Sequence, residues 1–406
     1  FMTSKFSNNS EPAIARPLAI SIICVLLTGI SFGFGRNLFP MVMPEMIKDL
    51  HLTYTQAGVI NGASQSSSLI TIPLAGYLTH RIGGLRLIVA CQLFGCTLLA
   101  ALSLVQGYYS LLVINFLIRS WPVVVWIPLV VIASEHINVK WRATMLTAAS
   151  SGPCFFIFIN GIFSSYFLEH YHWRGMWQFT SLFCFFCCCC CFFTLKLMKV
   201  GDHSTKGKEV RLRSNTELIH WMKTRSGVIL ISLFAIIGFT FMSFHVYLAA
   251  FLRDELRVGL GTTAVMWSVM GVSGILGGVS IGIITDRLGV KVSFGLVFMM
   301  AILSTVFVCL PPNSVSILTM ALLFGISQAA VYGLGPAYIS KILSTDAATT
   351  AFSSATMVLT VGAMVGNFIG GWSEGQFGSF TAFYISLGIF FLIGAVLSFG
   401  LKSERK

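Results

Sequence analysis

Twelve uninterrupted apolar runs, each long enough to cross a bilayer, leave this chain few folds to choose from. They fall at 18–43, 55–79, 86–106, 109–134, 143–167, 175–197, 226–251, 261–285, 291–311, 315–339, 349–373 and 379–401. A helix needs roughly 20 apolar residues to span the hydrocarbon core. A closed barrel is the only other structure that satisfies its backbone in lipid, and it reads as alternating strands of about ten residues, not as continuous runs. Composition agrees: of 406 residues, 56% are hydrophobic and only 10% charged, too few to cover soluble domains of that size. The sequence therefore predicts an all-α membrane protein with twelve transmembrane helices, and argues against a soluble enzyme, a secreted disulfide protein or a disordered scaffold.

Basic residues number 26 against 14 acidic ones, a net charge of +12. With both termini cytoplasmic, 20 of the Lys and Arg side chains fall on the inner side, and four, Lys48, Arg174, Arg253 and Arg257, fall outside. That asymmetry fixes the expected orientation in the cell's inner (plasma) membrane. It also accounts for most of the charge without a nucleic-acid partner, since no basic patch is interleaved with exposed aromatics. Residues 198–225, the one long polar stretch, read as a cytoplasmic linker at the chain's midpoint, a solvated loop with some capacity to touch anionic lipid. The expected organisation is an N-terminal arm (1–17), a six-helix half (18–197), the linker (198–225), a second half (226–401) and a tail (402–406). No small-residue cleavage site precedes the first span, so no cleavable signal peptide is expected. All eleven cysteines lie in apolar runs. The run Cys187–Cys191 projects around a whole helix circumference, which favours small apolar filler over a soft-metal or redox site.

The segment from Gly76 to Arg86, with His80, Arg81 and Gly83, follows the second span. A similar one, Gly282 to Lys291, with Asp286, Arg287 and Gly289, follows the eighth, 206 residues later. A repeat at half the chain length implies two pseudo-symmetric six-helix halves with a site between them. The pattern in these two loops resembles the signature of the major facilitator superfamily, and the likeness in topology extends over residues 18–401. The second copy fits well; the first carries His80 at the acidic position. The resemblance implies the major facilitator fold, alternating access, and a gating role at the inner end for His80, Arg81, Asp286 and Arg287, together with Glu135 and Arg142 after the fourth span. The alternative for these charges is simple satisfaction of helix ends. In that architecture spans 2, 5, 8 and 11 meet between the halves. The stripes Gly58/Gly62/Ser66, Gly274/Gly278/Gly282 and Gly362/Gly366/Gly370 are then expected to be the sliding surfaces, since small residues at this interval let helices approach closely.

None of the fourteen acidic residues is expected deep in a span, yet two arginines are. Arg36 lies about 8 Å and Arg119 about 4 Å outward of their helix midpoints, close to one level. An intramembrane charge costs at least about 2.5–3.5 kcal/mol and points to function by default. Two guanidinium forks at one level favour a carboxylate or phosphate. Arg36-Asn37 followed by Pro44 also resembles the organic-anion branches of the superfamily, in which an arginine on the first helix grips the substrate. The alternatives are carbonyl capping or snorkelling for Arg36 and a structural or relay role for Arg119. His245 on the seventh span, roughly 10 Å outward, is either a packing histidine or a substrate and proton contact. Trp126, Asn61, Gln65, Asn160, Gln328, Tyr332 and Asn367 fall where the family geometry aims side chains at the cavity.

Importing an anion against an interior-negative potential costs about 2.3 kcal/mol per 100 mV, so proton coupling or anion exchange is expected, with His245 the candidate proton carrier. There is no Walker loop, metal-spaced cluster or nucleophile elbow, so no enzymatic activity, metal or cofactor is expected. The expected function is secondary transport of a small organic anion, a carboxylate-bearing metabolite or polycarboxylate siderophore, by a monomer in contact with membrane lipid. The competing readings are a proton-driven exporter of drugs or amphipathic compounds and a non-transporting receptor or scaffold on the same fold.

Overall fold

A computed structural model describes residues 12–136, 139–197, 221–343 and 345–402; the side chains of 12–18, 76, 80, 127, 130–151, 345–347, 349 and 350 lie outside the described set. Among the described residues there are twelve helices and no strand: α1 (12–49), α2 (Tyr54–Ile82), α3 (Gly84–Leu102), α4 (Tyr108–His136), α5 (Val139–His170), α6 (His172–Leu197), α7 (Arg225–Glu255), α8 (Leu260–Leu288), α9 (Val290–Cys309), α10 (Ser314–Ile342), α11 (Thr345–Phe377) and α12 (Thr381–Ser398). Ten of them contain a span long and apolar enough to cross a membrane. α2 is more polar because Asn61, Ser64, Gln65 and Ser67 are buried against other helices instead of facing lipid. A capping box starts it: Gln56 N donates to Thr53 Oγ1 and Thr53 N donates to Gln56 Oε1.

The two halves keep one register. α2, α3 and α4 begin at Tyr54, Gly84 and Tyr108, and α8, α9 and α10 begin 206 residues later at Leu260, Val290 and Ser314. α1 and α7 each contain a π-type turn, Gly33–Asn37 and Gly238–Met242, one residue off that spacing. Even the ends match. Asp49, the last residue of α1, accepts from Trp173 Nε1 (3.1 Å) and Arg174 Nη1 (2.5 Å) at the start of α6. Glu255, its counterpart on α7, accepts from Ser379 Oγ (2.5 Å), Phe380 N (2.6 Å) and Thr381 Oγ1 (2.9 Å) at the start of α12. Each carboxylate stands at the positive dipole end of a helix N-terminus, and Glu255 also takes a backbone donor there.

Leu197 and Trp221 flank the linker and define one end of the bundle, the linker end; the turns after Asp49, Leu102, His170, Glu255, Cys309 and Phe377 define the far end. The halves touch through α2 with α11, α5 with α8 and α1 with α7. A Cβ on Gly58 would lie 3.1 Å from Gly371 Cα, one on Gly161 2.6 Å from Ser268 N, and one on Gly271 2.4 Å from Phe158 N. These contacts sit in the far half and the middle of the helices. The expected α8 stripe meets the other half at Gly274, where a Cβ would lie 3.0 Å from Cys154 Sγ of α5, while Gly278 and Gly282 have open space. The α11 stripe needs correction: Gly362, Gly366 and Gly370 are pressed against Ala235, Phe239 and Tyr247 of α7, inside their own half. Met364, Asn367, Phe368, Gly371 and Gly375 are among the α11 residues that meet α2. In the cysteine run, Cys188 and Cys191 face inward with Cys184, while Cys189 and Cys190 face outward.

Candidate functional site

The π-type turn in α1 sets the position of Arg36. Such a turn inserts a residue and loosens a backbone carbonyl. Asn160 on α5 answers it, donating from Nδ2 to Gly33 O at 3.1 Å. The turn is free of bulky side chains where α4 crosses: a Cβ on Gly35 would lie 2.8 Å from the Trp121 ring, and one on Gly95 2.2 Å from it. Trp121 is wedged in that gap and donates from Nε1 to Gln92 Oε1 (2.8 Å), while Gln92 donates from Nε2 to Leu27 O (3.0 Å). This buried strut ties α4 through α3 to α1. It fixes the register in which Arg119, two residues before Trp121, comes close enough to Arg36 for their charges to repel.

Arg119 is 4% exposed and donates from Nη2 to Asn61 Oδ1 at 3.3 Å; its Nε has no partner. Asn61 is held in turn by its own donation to Ala57 O at 3.0 Å. Arg36 reaches across to the other half, where its Nη2 donates to Met242 Sδ. Tyr332 OH on α10 donates to the same sulfur at 3.5 Å. His245, one turn beyond Met242 on α7, lies in the field of both arginines, with Gln328 beside it and Tyr332. Neither ring nitrogen of His245 has a hydrogen-bond partner, and its ring meets Trp267 edge-on at 4.8 Å. Aromatic packing holds α7 in place: Phe244 stacks on Phe324 at 4.0 Å, and Tyr384 OH donates to Phe244 O at 3.0 Å.

Arg36, Arg119, His245, Asn61, Gln328 and Tyr332 are thus gathered between the halves, while Asn160 supports the α1 turn from within the first half. Asn367 is fully buried at the α2–α11 contact, its carbonyl accepting from Tyr247 OH and its amide unpaired. Gln65 is buried one turn along α2 from Asn61, and Trp126 is half-buried on α4. No described contact ties either to the arginines. At the linker end Arg81, Asp286 and Arg287 are exposed, and Arg81 donates to Tyr77 OH at 3.2 Å. The side chains of His80, Glu135 and Arg142 lie outside the described residues. Sequence reasoning missed Met242, Trp267 and Asn115, the last on α4 one turn before Arg119 with both amide atoms unpaired. The repeat offset signals two of them, since 36 and 61 plus 206 give Met242 and Trp267.

The described acids stand at helix ends: Glu45, Asp49, Glu169, Asp254, Glu255, Asp286 and Glu374. Several close the far end. Lys48 binds Asp254 at 2.5 Å, Tyr54 OH donates to the same carboxylate, and Arg253 pairs with Glu45. Each of these contacts joins one half to the other. Toward the linker end a Cβ on Gly278 or Gly282 of α8 would meet no neighbour, and Arg36, Gln328 and Tyr332 keep partial exposure.

Among curated proteins none matches the chain. Among solved structures, a bacterial homologue of the human lysosomal transporter Spinster, inward-facing and unoccupied, aligns with a TM-score of 0.75 at 15% identity, over 95% of this chain and 97% of that one. The nucleoside transporter NupG aligns with a TM-score of 0.74 at 11% identity, over 95% and 98%. At such identities the likeness concerns the fold, which both share with this chain. The sequence profile of the Major Facilitator Superfamily matches residues 25–366, most of both halves. With twelve helices in two halves of common register around a polar site, the chain belongs to the major facilitator superfamily and is a multi-pass membrane transporter of the secondary type.

Proposed function

We propose that the cargo is a small organic anion, bound between the halves by Arg36 and Arg119 and carried by alternating access. One observation carries this reading: two guanidinium groups and a histidine share a site beside which no described carboxylate stands. An anion seated there supplies the missing counter-charge, and bidentate pairing suits both forks. A cationic drug would add to the repulsion, which weighs against the exporter reading. Asn61 orients Arg119, Asn160 keeps the α1 turn open around Arg36, and Gln328 and Tyr332 close the site from α10. His245 is assigned the coupling proton. Taking up one anion with one proton leaves the charge moved across the membrane at zero, which removes the cost of working against an interior-negative potential. The linker end is assigned to the cytoplasm of a plasma-membrane protein acting as a monomer. The inner latch of the transport cycle is assigned to Arg81, Asp286 and Arg287, with His80, Glu135 and Arg142.

The test is uptake of a carboxylate panel by proteoliposomes. Arg36→Gln or Arg119→Gln is expected to lower anion uptake about 10- to 100-fold, the value of one hydrogen-bonded charge pair of about 1.5–3 kcal/mol. Unchanged uptake of every anion by both variants overturns the reading.

A further inference from the structure

The common register allows the two faces of the site to be compared position by position, and they are chemically unlike. Adding 206 to each polar contributor of the first half gives Met242 for Arg36, Trp267 for Asn61, Gly325 for Arg119 and Gly366 for Asn160. Both charges and two of the amides are thus confined to one half. What the second half presents is flat, polarisable or neutral: the Met242 thioether against Arg36, Tyr332 on that same sulfur, Gln328, and His245 with both nitrogens unpaired at 4% exposure over the edge of Trp267. The one equivalence that keeps its character is aromatic, Trp126 with Tyr332, both half-buried on facing helices.

We infer that the substrate is an aromatic or heteroaromatic carboxylate bound in a single orientation, its acid group on Arg36 and Arg119 of the first half and its ring on the Tyr332, Gln328 and His245 face of the second. This rests on the anion reading above and narrows it. A dicarboxylate or tricarboxylate carries charge at more than one end, and one end would then face a surface with no permanent cation to replace the water it loses. A ring acid loses little there. Its face meets aromatic and thioether surface, for which sulfur and π-systems have favourable contact geometries. A ring hydroxyl or ring nitrogen finds the Gln328 amide, the Tyr332 hydroxyl and the unpaired imidazole of His245. A short aliphatic monocarboxylate can satisfy the arginines and leaves the second face empty.

The experiment uses the full-length protein in proteoliposomes, with uptake of labelled 4-hydroxybenzoate and nicotinate measured against lactate, succinate and citrate. Thermal stabilisation by each acid in detergent gives a second readout that is independent of turnover. The wild-type protein is expected to take up the ring acids at least about tenfold faster than the aliphatic ones and to be stabilised only by the ring acids. Tyr332→Leu and Gln328→Leu are each expected to reduce that preference about tenfold, ring-acid uptake falling further than aliphatic uptake. Succinate or citrate transported as well as the ring acids overturns this inference and leaves the anion reading standing. If no acid is transported and none stabilises the protein, both fall. A preference that persists in Tyr332→Leu and Gln328→Leu refutes the assignment of the ring to the second half.

Discussion

Removing the charged contacts at the far end should tip the protein toward the opposite conformation by an amount that their burial allows one to compute. The side chains of Arg253 and Glu45 are 15% and 21% exposed, and Glu45 Oε2 and Arg253 Nη1 have no other partner. A hydrogen-bonded charge pair in such a setting contributes about 1.5–3 kcal/mol. Lys48 is 62% exposed, so its pair with Asp254 is screened by solvent and contributes under about 1 kcal/mol. Together the two pairs hold the far end shut by about 3 kcal/mol, because contacts made in one state alone shift the balance by their whole value. The double variant Lys48→Gln/Arg253→Gln should therefore raise the far-open population by roughly 100-fold. Hydrogen–deuterium exchange reads this directly: uptake across residues 45–58 and 250–262 should rise steeply in the variant and stay constant around the π-type turn at Gly33–Asn37. The exchanged pair Glu45→Arg/Arg253→Glu should return exchange close to the wild-type level. Exchange at the far end within twofold of wild type in the double variant refutes the assignment of these residues to the closure.

Two further outcomes follow from the same geometry. In Gly371→Val, the new Cβ would lie 2.3 Å from Tyr54 O and 2.7 Å from Gly58 Cα, so α2 and α11 are held apart; the protein should remain monodisperse while transport falls more than about tenfold, as substrate-exchange rates will tell. With His245 as proton carrier, wild-type anion uptake should rise when the outside is acidified and His245→Gln should abolish that rise while still binding the anion. A variant that keeps the full response to the pH gradient places the coupling elsewhere.

The sequence carried most of the fold because lipid is an unforgiving solvent: each span must satisfy its own backbone, so hydropathy alone locates the helices. Arg36 and Arg119 were legible for the same reason, as charges in segments where charge is costly. The glycine stripes were misread on α11 because four-residue spacing of small residues permits close approach without saying to which neighbour, and Tyr247 and Phe239 of the same half claim that face. The Trp121–Gln92–Leu27 strut joins three helices through one indole nitrogen and one amide, a geometry without local signature. Trp267 was hidden by its chemistry, since a tryptophan in a span reads equally well as packing. The far-end pair Lys48 and Asp254 was open to discovery: their separation is the repeat length, and two such positions meet at the symmetry axis.

That coincidence has a consequence for how two like halves can live in one chain. Positions related by the offset that also touch, such as 36 with 242 and 48 with 254, lie on the axis and face their own images. In a pair of identical halves, Arg36 would meet an arginine between the halves and Lys48 a lysine at the closed end. Divergence on one side resolves both, a thioether opposite the guanidinium and a carboxylate opposite the ammonium. The joined chain can therefore do what a symmetric dimer of either half cannot: attract along the axis itself and offer a cargo two different faces.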